Sequence, residues 1–251
     1  SKLTPQQMFL KLIYTKEQEK KSELLNTLPS TFSNVFVDTN GTAYSTCMGT
    51  GNDLLKKHST NGTNMLGNVK TSSALTDVTA NKDGIIYASD SHGMIWVYTS
   101  QGEVIFQLGA EAADKDISGL FTSLTTIAVD NSGNIWTADG EKGYLQSFTP
   151  TEYATTIFKA LKEYENGDYK EALTDWNYVL RLNQMSVLAH NGVAKAYYND
   201  EVYDKAMEHF EIAGNRSGYS DAFWEVRNKG IQKDLGVVRN SFNCFSYSYC
   251  N

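Results

Sequence analysis

Four aspartates, Asp38, Asp90, Asp130 and Asp139, stand beside glycine-bearing turns between short apolar runs. Carboxylates brought together from several turns would make an oxygen-rich cluster. Such a cluster suits calcium, a hard cation that takes about six to eight oxygen ligands. That arrangement would support calcium-dependent hydrolysis. The spacing argues for a plainer role. The aspartates recur in register, and an Asp in Asp-x-x-Gly accepts backbone N–H bonds inside its own turn. A metal site needs different side chains from different turns. The histidines His58, His92, His190 and His209 are scattered and form no H-x-x-x-H pair on a helix. There is no G-x-S-x-G elbow and no phosphate loop. Cys47, Cys244 and Cys250 lack metal-ligand spacing. The residue set therefore leans away from an enzyme, and it implies no cofactor.

The strongest positional signal lies in the second half. Tyr164, Tyr169 and Ala172 are answered 34 residues later by Tyr198, Tyr203 and Ala206, and Trp176 by Phe210. A 34-residue period is that of stacked helix-turn-helix units of the tetratricopeptide kind. Two antiparallel helices that approach closely need a small residue at their crossing, here Ala172 and Ala206. Large residues, Tyr169 and Tyr203, fill the gap below the turn. A helical-repeat stack is expected over 151–236. Its inner helices would present Tyr164, Asn191, Lys195 and Tyr198 to a partner.

The first half has a different texture. Ala74–Asn81, Ile85–Asp90, Met94–Ser100 and Glu103–Leu108 are four β-prone runs joined by three tight turns that carry Gly84, Gly93 and Gly102. Four short antiparallel strands in sequence make one propeller blade. Gly41, Gly84 and Gly133 occupy matching turns 43 and 49 residues apart, which is blade spacing. A partial propeller of about three four-stranded blades is expected over 29–150, at about 29–68, 72–109 and 120–150. A flat meander or a sandwich is the alternative. The third blade lacks an obvious outer strand, because its last element runs into a helix near Glu152. Trp96 and Trp136 would line an axial ligand site or, following the period-2 alternation, pack between blades.

Asp130-Asn131-Ser132-Gly133-Asn134-Ile135-Trp136 with Ala138-Asp139 and Tyr144–Phe148 resembles an NHL repeat. So does Tyr87–Asp90 followed by Ile95–Tyr98. The order of parts resembles membrane-anchored surface proteins of Gram-positive bacteria, in which an NHL propeller runs into tetratricopeptide helices. Phe148–Ala154 resembles their junction, and Gly218–Trp224 the end of their stack. The resemblance covers about residues 7–236. It implies an extracellular or cell-surface location, and a non-catalytic scaffold with a protein or peptide partner in carbohydrate-uptake machinery. Lactone-hydrolysing propellers place calcium on carboxylates such as Asp38, Asp90, Asp130 and Asp139. A calcium-dependent lactonase-like or glycan-processing enzyme is therefore the alternative function. Propellers of this kind close with more than three blades. The chain reads as a central fragment completed by upstream blades, as an open arc, or as a ring closed by a second copy.

The remaining composition narrows the partners. The 251 residues carry a net charge of −7, spread evenly over both halves. No basic patch suggests nucleic acid. No apolar run reaches the roughly 18–20 residues of a membrane span. Residues 5–27 are expected to be helical, with Met8, Phe9, Leu12 and Ile13 on one face, so that 1–28 packs on the propeller. Residues 237–251 mix Ser, Asn, Phe, Tyr and Cys, and are expected to form an irregular tail.

Overall fold

The computed structural model describes residues 32–48, 54–67, 69, 74–112 and 117–247, with side chains to residue 231. The helix expected over 5–27 lies outside the described residues. The chain separates into two compact units between Thr149 and Pro150. The first is built of sheets and the second of helices, which is a mixed β-then-α architecture.

Sequential antiparallel strands make up the first unit. β1 (Phe32–Val37), β2 (Ala43–Cys47) and β3 (Leu55–His58) form one sheet in chain order. β4 (Leu75–Ala80), β5 (Ile86–Asp90), β6 (Ile95–Tyr98) and β7 (Val104–Leu108) form a four-stranded sheet at the glycine turns of 74–109. β8 (Ala110–Glu111) and β9 (Leu120–Phe121) form a short parallel pair. β10 (Leu124–Val129), β11 (Ile135–Asp139) and β12 (Tyr144–Phe148) form the last sheet. The first sheet has three strands among the described residues, not the expected four. The β8–β9 pair was not foreseen: two-residue strands are too short to show a period.

Each meander turns on the same device. In the turn after β1, Asp38 Oδ1 accepts the N–H groups of Asn40 and Thr42 at 2.9 and 2.8 Å. After β10, Asp130 Oδ1 accepts those of Ser132 and Asn134 at 2.8 and 2.9 Å. Asn81 does the same after β4, taking Asp83 and Ile85. The glycine of each of these turns has φ near +80°. That region is costly for residues with a Cβ, so the side-chain acceptor and the glycine work together.

The first strands lie side by side, β1 against β4 and β4 against β10. Each carries a bulge at the same place, between Phe32 and Asn34, Leu75 and Asp77, and Leu124 and Thr126. A bulge bends its strand and re-aims the side chains around it. The middle sheet is flanked on both faces, so β5 and β6 are buried at every position and show no alternation. Tyr44, Leu55, Leu75, Val78, Ile86, Trp96 and Tyr98 make the continuous core between the first two sheets.

The second unit comprises α1 (Glu152–Asn166), α2 (Tyr169–Leu182), α3 (Val187–Asn199), α4 (Tyr203–Ile212) and α5 (Arg216–Tyr247). Three of the five starts, those of α1, α3 and α5, are set by side-chain caps, whereas Asp168 and Val202 make no such bond before α2 and α4. Thr151 Oγ1 accepts from Ala154 N, Ser186 Oγ from Ala189 N, and Asn215 Oδ1 from Gly218 N. Each bond satisfies one of the N–H groups that a helix leaves open at its first turn. α1 ends at Gly167 with φ +90°. The equivalent corner 34 residues later is Glu201, at φ +59°. Ala172 and Ala206 are fully buried at the helix contacts, each with its large neighbour, Trp176 or Phe210, one turn on. Tyr164 meets Tyr169 at 5.2 Å between ring centres, and Tyr198 meets Tyr203 at 5.3 Å.

The tail departs from expectation. α5 continues as helix through Tyr247, across most of the segment read as irregular. Residues 237–251 contain neither proline nor glycine, so nothing in them breaks the i→i−4 bonding of the helix already begun. Among the described residues, no helix is long and apolar enough to cross a membrane.

Candidate functional site

The four aspartates singled out for calcium each sit in their own turn. Asp90 accepts from His92 N, Met94 N and the indole N–H of Trp96 at 2.9, 3.0 and 3.0 Å. Asp130 accepts from the Asn134 amide and from Trp136 Nε1 as well as its turn amides. The Asn134 amide, with help from Trp136, brings the Asp130 carboxyl down to about 2. Asp139 accepts from Thr122 N, Glu141 N and Lys142 N. Burial pushes the Asp139 carboxyl up, and the amides of Lys142, Thr122 and Glu141 outweigh that push and hold it below its usual range. Tyr44 reaches toward Asp38 at 3.5 Å. Burial, then the Asp38 charge, raises the Tyr44 hydroxyl to about 12. Among the described residues, no group of three or more His, Cys, Asp or Glu side chains is arranged to hold a metal ion. Trp96 is buried against Tyr98, with ring centres 6.1 Å apart, whereas Trp136 is exposed.

One carboxylate not foreseen from sequence holds a central place. Asp77 is buried in β4 at the bulge. Its Oδ2 accepts from Thr126 Oγ1 and Ile127 N of β10 at 2.6 and 2.9 Å. Its Oδ1 accepts from Val78 N at 2.7 Å and from the amide of Asn34 in β1. Asn34, Asp77 and Thr126 occupy the same position of their bulges, so one carboxylate ties three meanders together. The available signal was a charged residue inside an apolar run, matched by polar residues at the same register of the other two copies.

The four residues expected to meet a partner lie in the helical unit and are all partly exposed. Asn191, Lys195 and Tyr198 follow spacings of four and three along α3, which place them on one face. Tyr164 of α1 joins that face through Asn199, whose side-chain N–H donates to the Tyr164 hydroxyl at 3.1 Å. Burial, then the charges of Glu225 and Asp221, raises the Tyr198 hydroxyl above its ordinary range. Asn191 stands at the other end of α3. Its oxygen accepts from the side chain of Asn215, the residue that caps α5. Beside that cap is a cleft of about 440 Å³ lined by Phe210, Glu211, Gly214, Asn215, Arg216 and Tyr219. The row therefore links two places, an aromatic corner at Tyr164 and Tyr198 and a polar cleft at Asn215. Asn199, Arg216 and Tyr219 were not foreseen. Asn199 lies one helical turn beyond Lys195, on the same inner helix from which Lys195 was expected to face a partner.

Two histidines far apart in sequence meet here. His190 Nε2 lies 3.0 Å from the Gln184 carbonyl and must be the donor there. His190 Nδ1 and His209 Nδ1 lie 2.9 Å apart, within hydrogen-bond reach. Burial first, then the His190 ring, lowers the His209 pKa; Glu208 opposes this and Lys205 adds to it. The unfolded chain titrates near the ordinary value of about 6.5. Below that value the unfolded state takes up the proton more readily than the fold does. Stability is then full above about pH 6.5 and is lost as pH falls through it. The thermal midpoint of the helical unit is expected to drop between neutral and mildly acidic buffer, and His209→Gln to flatten that slope. An unchanged slope in the variant would remove His209 as the cause.

Comparison with known proteins assigns no family. No family description matches the sequence, and no curated protein matches it. Among solved structures, the chain is similar to the computationally designed Ika8 protein at 13% identity and TM-score 0.36, over 47% of this chain and 33% of that one. It is similar to the extracellular domain of BT4673 from B. thetaiotaomicron at 13% identity and TM-score 0.35, over 47% and 17%. PorZ, a surface component of the type-IX secretion system of Porphyromonas gingivalis, matches at 17% identity and TM-score 0.31, over 50% and 21%. The chain spans a third or less of each. Likeness at this level assigns neither fold nor activity.

Proposed function

We propose that this chain is a non-catalytic binding scaffold: an arc of propeller-like blades over 29–150 carrying a tetratricopeptide-like stack over 151–236, displayed at a bacterial cell surface. The helical stack takes a protein or peptide, and the arc is its platform. The observation that carries this reading is the row on α1 and α3. Tyr164, Asn191, Lys195, Tyr198 and Asn199 combine aromatic faces, side-chain amides and one ammonium on a rigid, part-exposed surface. Amides can pair with the backbone of an extended peptide, aromatic rings bury its apolar side chains, and the ammonium favours an acidic group. Stacked helical repeats use such extended surfaces for binding. The surface location and a partner in sugar uptake rest on the resemblance in the order of parts.

The test is a peptide-display selection on the 251-residue chain, followed by affinity measurements on variants. Lys195→Ala and Asn199→Ala are each expected to weaken the selected peptides about tenfold, or about 1.4 kcal/mol. Peptides whose affinity ignores both substitutions would count against this face. Calcium-dependent lactone turnover that disappears in Asp130→Ala would replace the reading with the enzymatic one.

A further inference from the structure

Among the described residues, the sheet unit has two open flanks, and its own interior records what fits each of them. The register makes equivalent positions explicit. Val35 pairs with Ser45, Val78 with Ala88, and Ile127 with Thr137, each at the centre of a first strand. Val78 and Ile127 are buried, but Val35 is 59% exposed. Phe32 is likewise exposed, while its counterparts Leu75 and Leu124 are buried. β1 therefore shows to solvent a face that β4 and β10 bury against the meander before them.

The opposite flank shows the complementary set. Leu145 pairs with Ala138, Ile95 with Ser89, and Leu55 with Thr46. Ile95 and Leu55 are buried, but Leu145 is 69% exposed. Trp136 is also exposed, while its counterparts Tyr87 and Tyr44 are buried. The third meander thus shows to solvent what the first two bury against the meander after them. Polar groups follow the same logic. At each internal junction, side chains cross between meanders, as Ser33 Oγ does to the Leu75 carbonyl at 2.7 Å and Thr126 Oγ1 to Asp77.

From this we propose that a second copy of the chain covers both flanks, head to tail. The β1 face of each copy would seat on the β10–β12 face of the other. The occupant is specified by the molecule itself. Every exposed apolar residue named above has two internal counterparts, and each of those is buried by a meander of this chain. Stoichiometry follows from closure, and this step rests on reading the meanders as propeller blades. Three sheets of this kind per copy make six in a pair and nine in a trimer, and closed propellers run from about four to eight blades. A pair related by a twofold axis leaves no flank open.

The experiment is the solution mass of the full chain by sedimentation and native mass spectrometry, from micromolar to submillimolar concentration. The expected mass is twice 28.0 kDa. Val35→Glu and Leu145→Glu, on opposite flanks, are each expected to give monomers with unchanged far-UV circular dichroism, because both side chains already face solvent. A wild-type monomer overturns the proposal, including one whose flank is covered by residues 1–28, in which case Val35→Glu would lower its thermal midpoint. A dimer indifferent to both substitutions overturns it as well. Peptide affinity that depends on Lys195 is read on the other unit. It can survive loss of the dimer, so the two readings fail separately.

Discussion

Asp77→Ala is expected to cost the sheet unit about 3–4 kcal/mol. The carboxylate takes four donors, from Asn34, Val78, Thr126 and Ile127. The bonds from Val78 N and Ile127 N are buried, and each stranded buried donor costs about 1–3 kcal/mol. Asn34 and Thr126 are part-exposed and can turn to water, so the cost falls mainly on the two buried amides. Asp77→Asn keeps the shape and one good acceptor but aims an N–H at donors, so a loss of about half that size is expected. The two units need not unfold together, and a single midpoint would blur the effect. Hydrogen exchange at Val78 and Ile127 separates it: protection there should collapse in Asp77→Ala while α1–α4 keep theirs. Protection unchanged at both amides would show that the carboxylate does not hold the three meanders.

Trp176→Ala should be the most damaging single change in the helical unit. The indole is almost wholly buried, and truncating a buried tryptophan costs about 3–5 kcal/mol through lost transfer energy and the cavity left behind. The partner position gives a sharper test. Gly192 of α3 has no room for a Cβ, because one placed there would overlap the Trp176 ring. Gly192→Ala in the native background should therefore cost about 1–3 kcal/mol by overpacking. In the Trp176→Ala background the obstruction is gone, and the same change should stabilise by up to about 1 kcal/mol, the helix preference of alanine over glycine. A reversal of sign in the double-mutant cycle, measured by urea denaturation, is the expected outcome. Equal costs in both backgrounds would mean that the two residues do not share one space.

What the sequence made legible was local. The turns at Gly41, Gly84 and Gly133 could be read because Asp or Asn and glycine each have a conformational reason to stand where they do. The helical corners could be read because Ala172 and Ala206, with their aromatic neighbours, recur at one period. Long-range pairings were not legible. The role of Asp77 depends on three bulges falling in line, and bulges leave no periodic mark. His190 and His209 meet only because α3 and α4 fold back on each other. The β8–β9 pair is set by the surrounding backbone and not by two residues of propensity. Within the expected row, Lys195 and Tyr198 came from placing them on an inner helix of the repeat. The tie from Tyr164 to Asn199 crosses between α1 and α3, and a pattern along the chain carries no record of it.

In the second unit every helix packs chiefly on its predecessor and successor, α1 on α2, α2 on α3, α3 on α4, and α4 on α5. Contacts between chain neighbours require little loop closure before they reward it, so this half can assemble quickly, zipping from whichever pair forms first. The same economy makes it severable. Damage near α5 frays that end and leaves α1 and α2 paired. A partner that grips the row on α1 and α3 would hold the first three helices of the zipper together, and binding would then be felt as slower opening at that end.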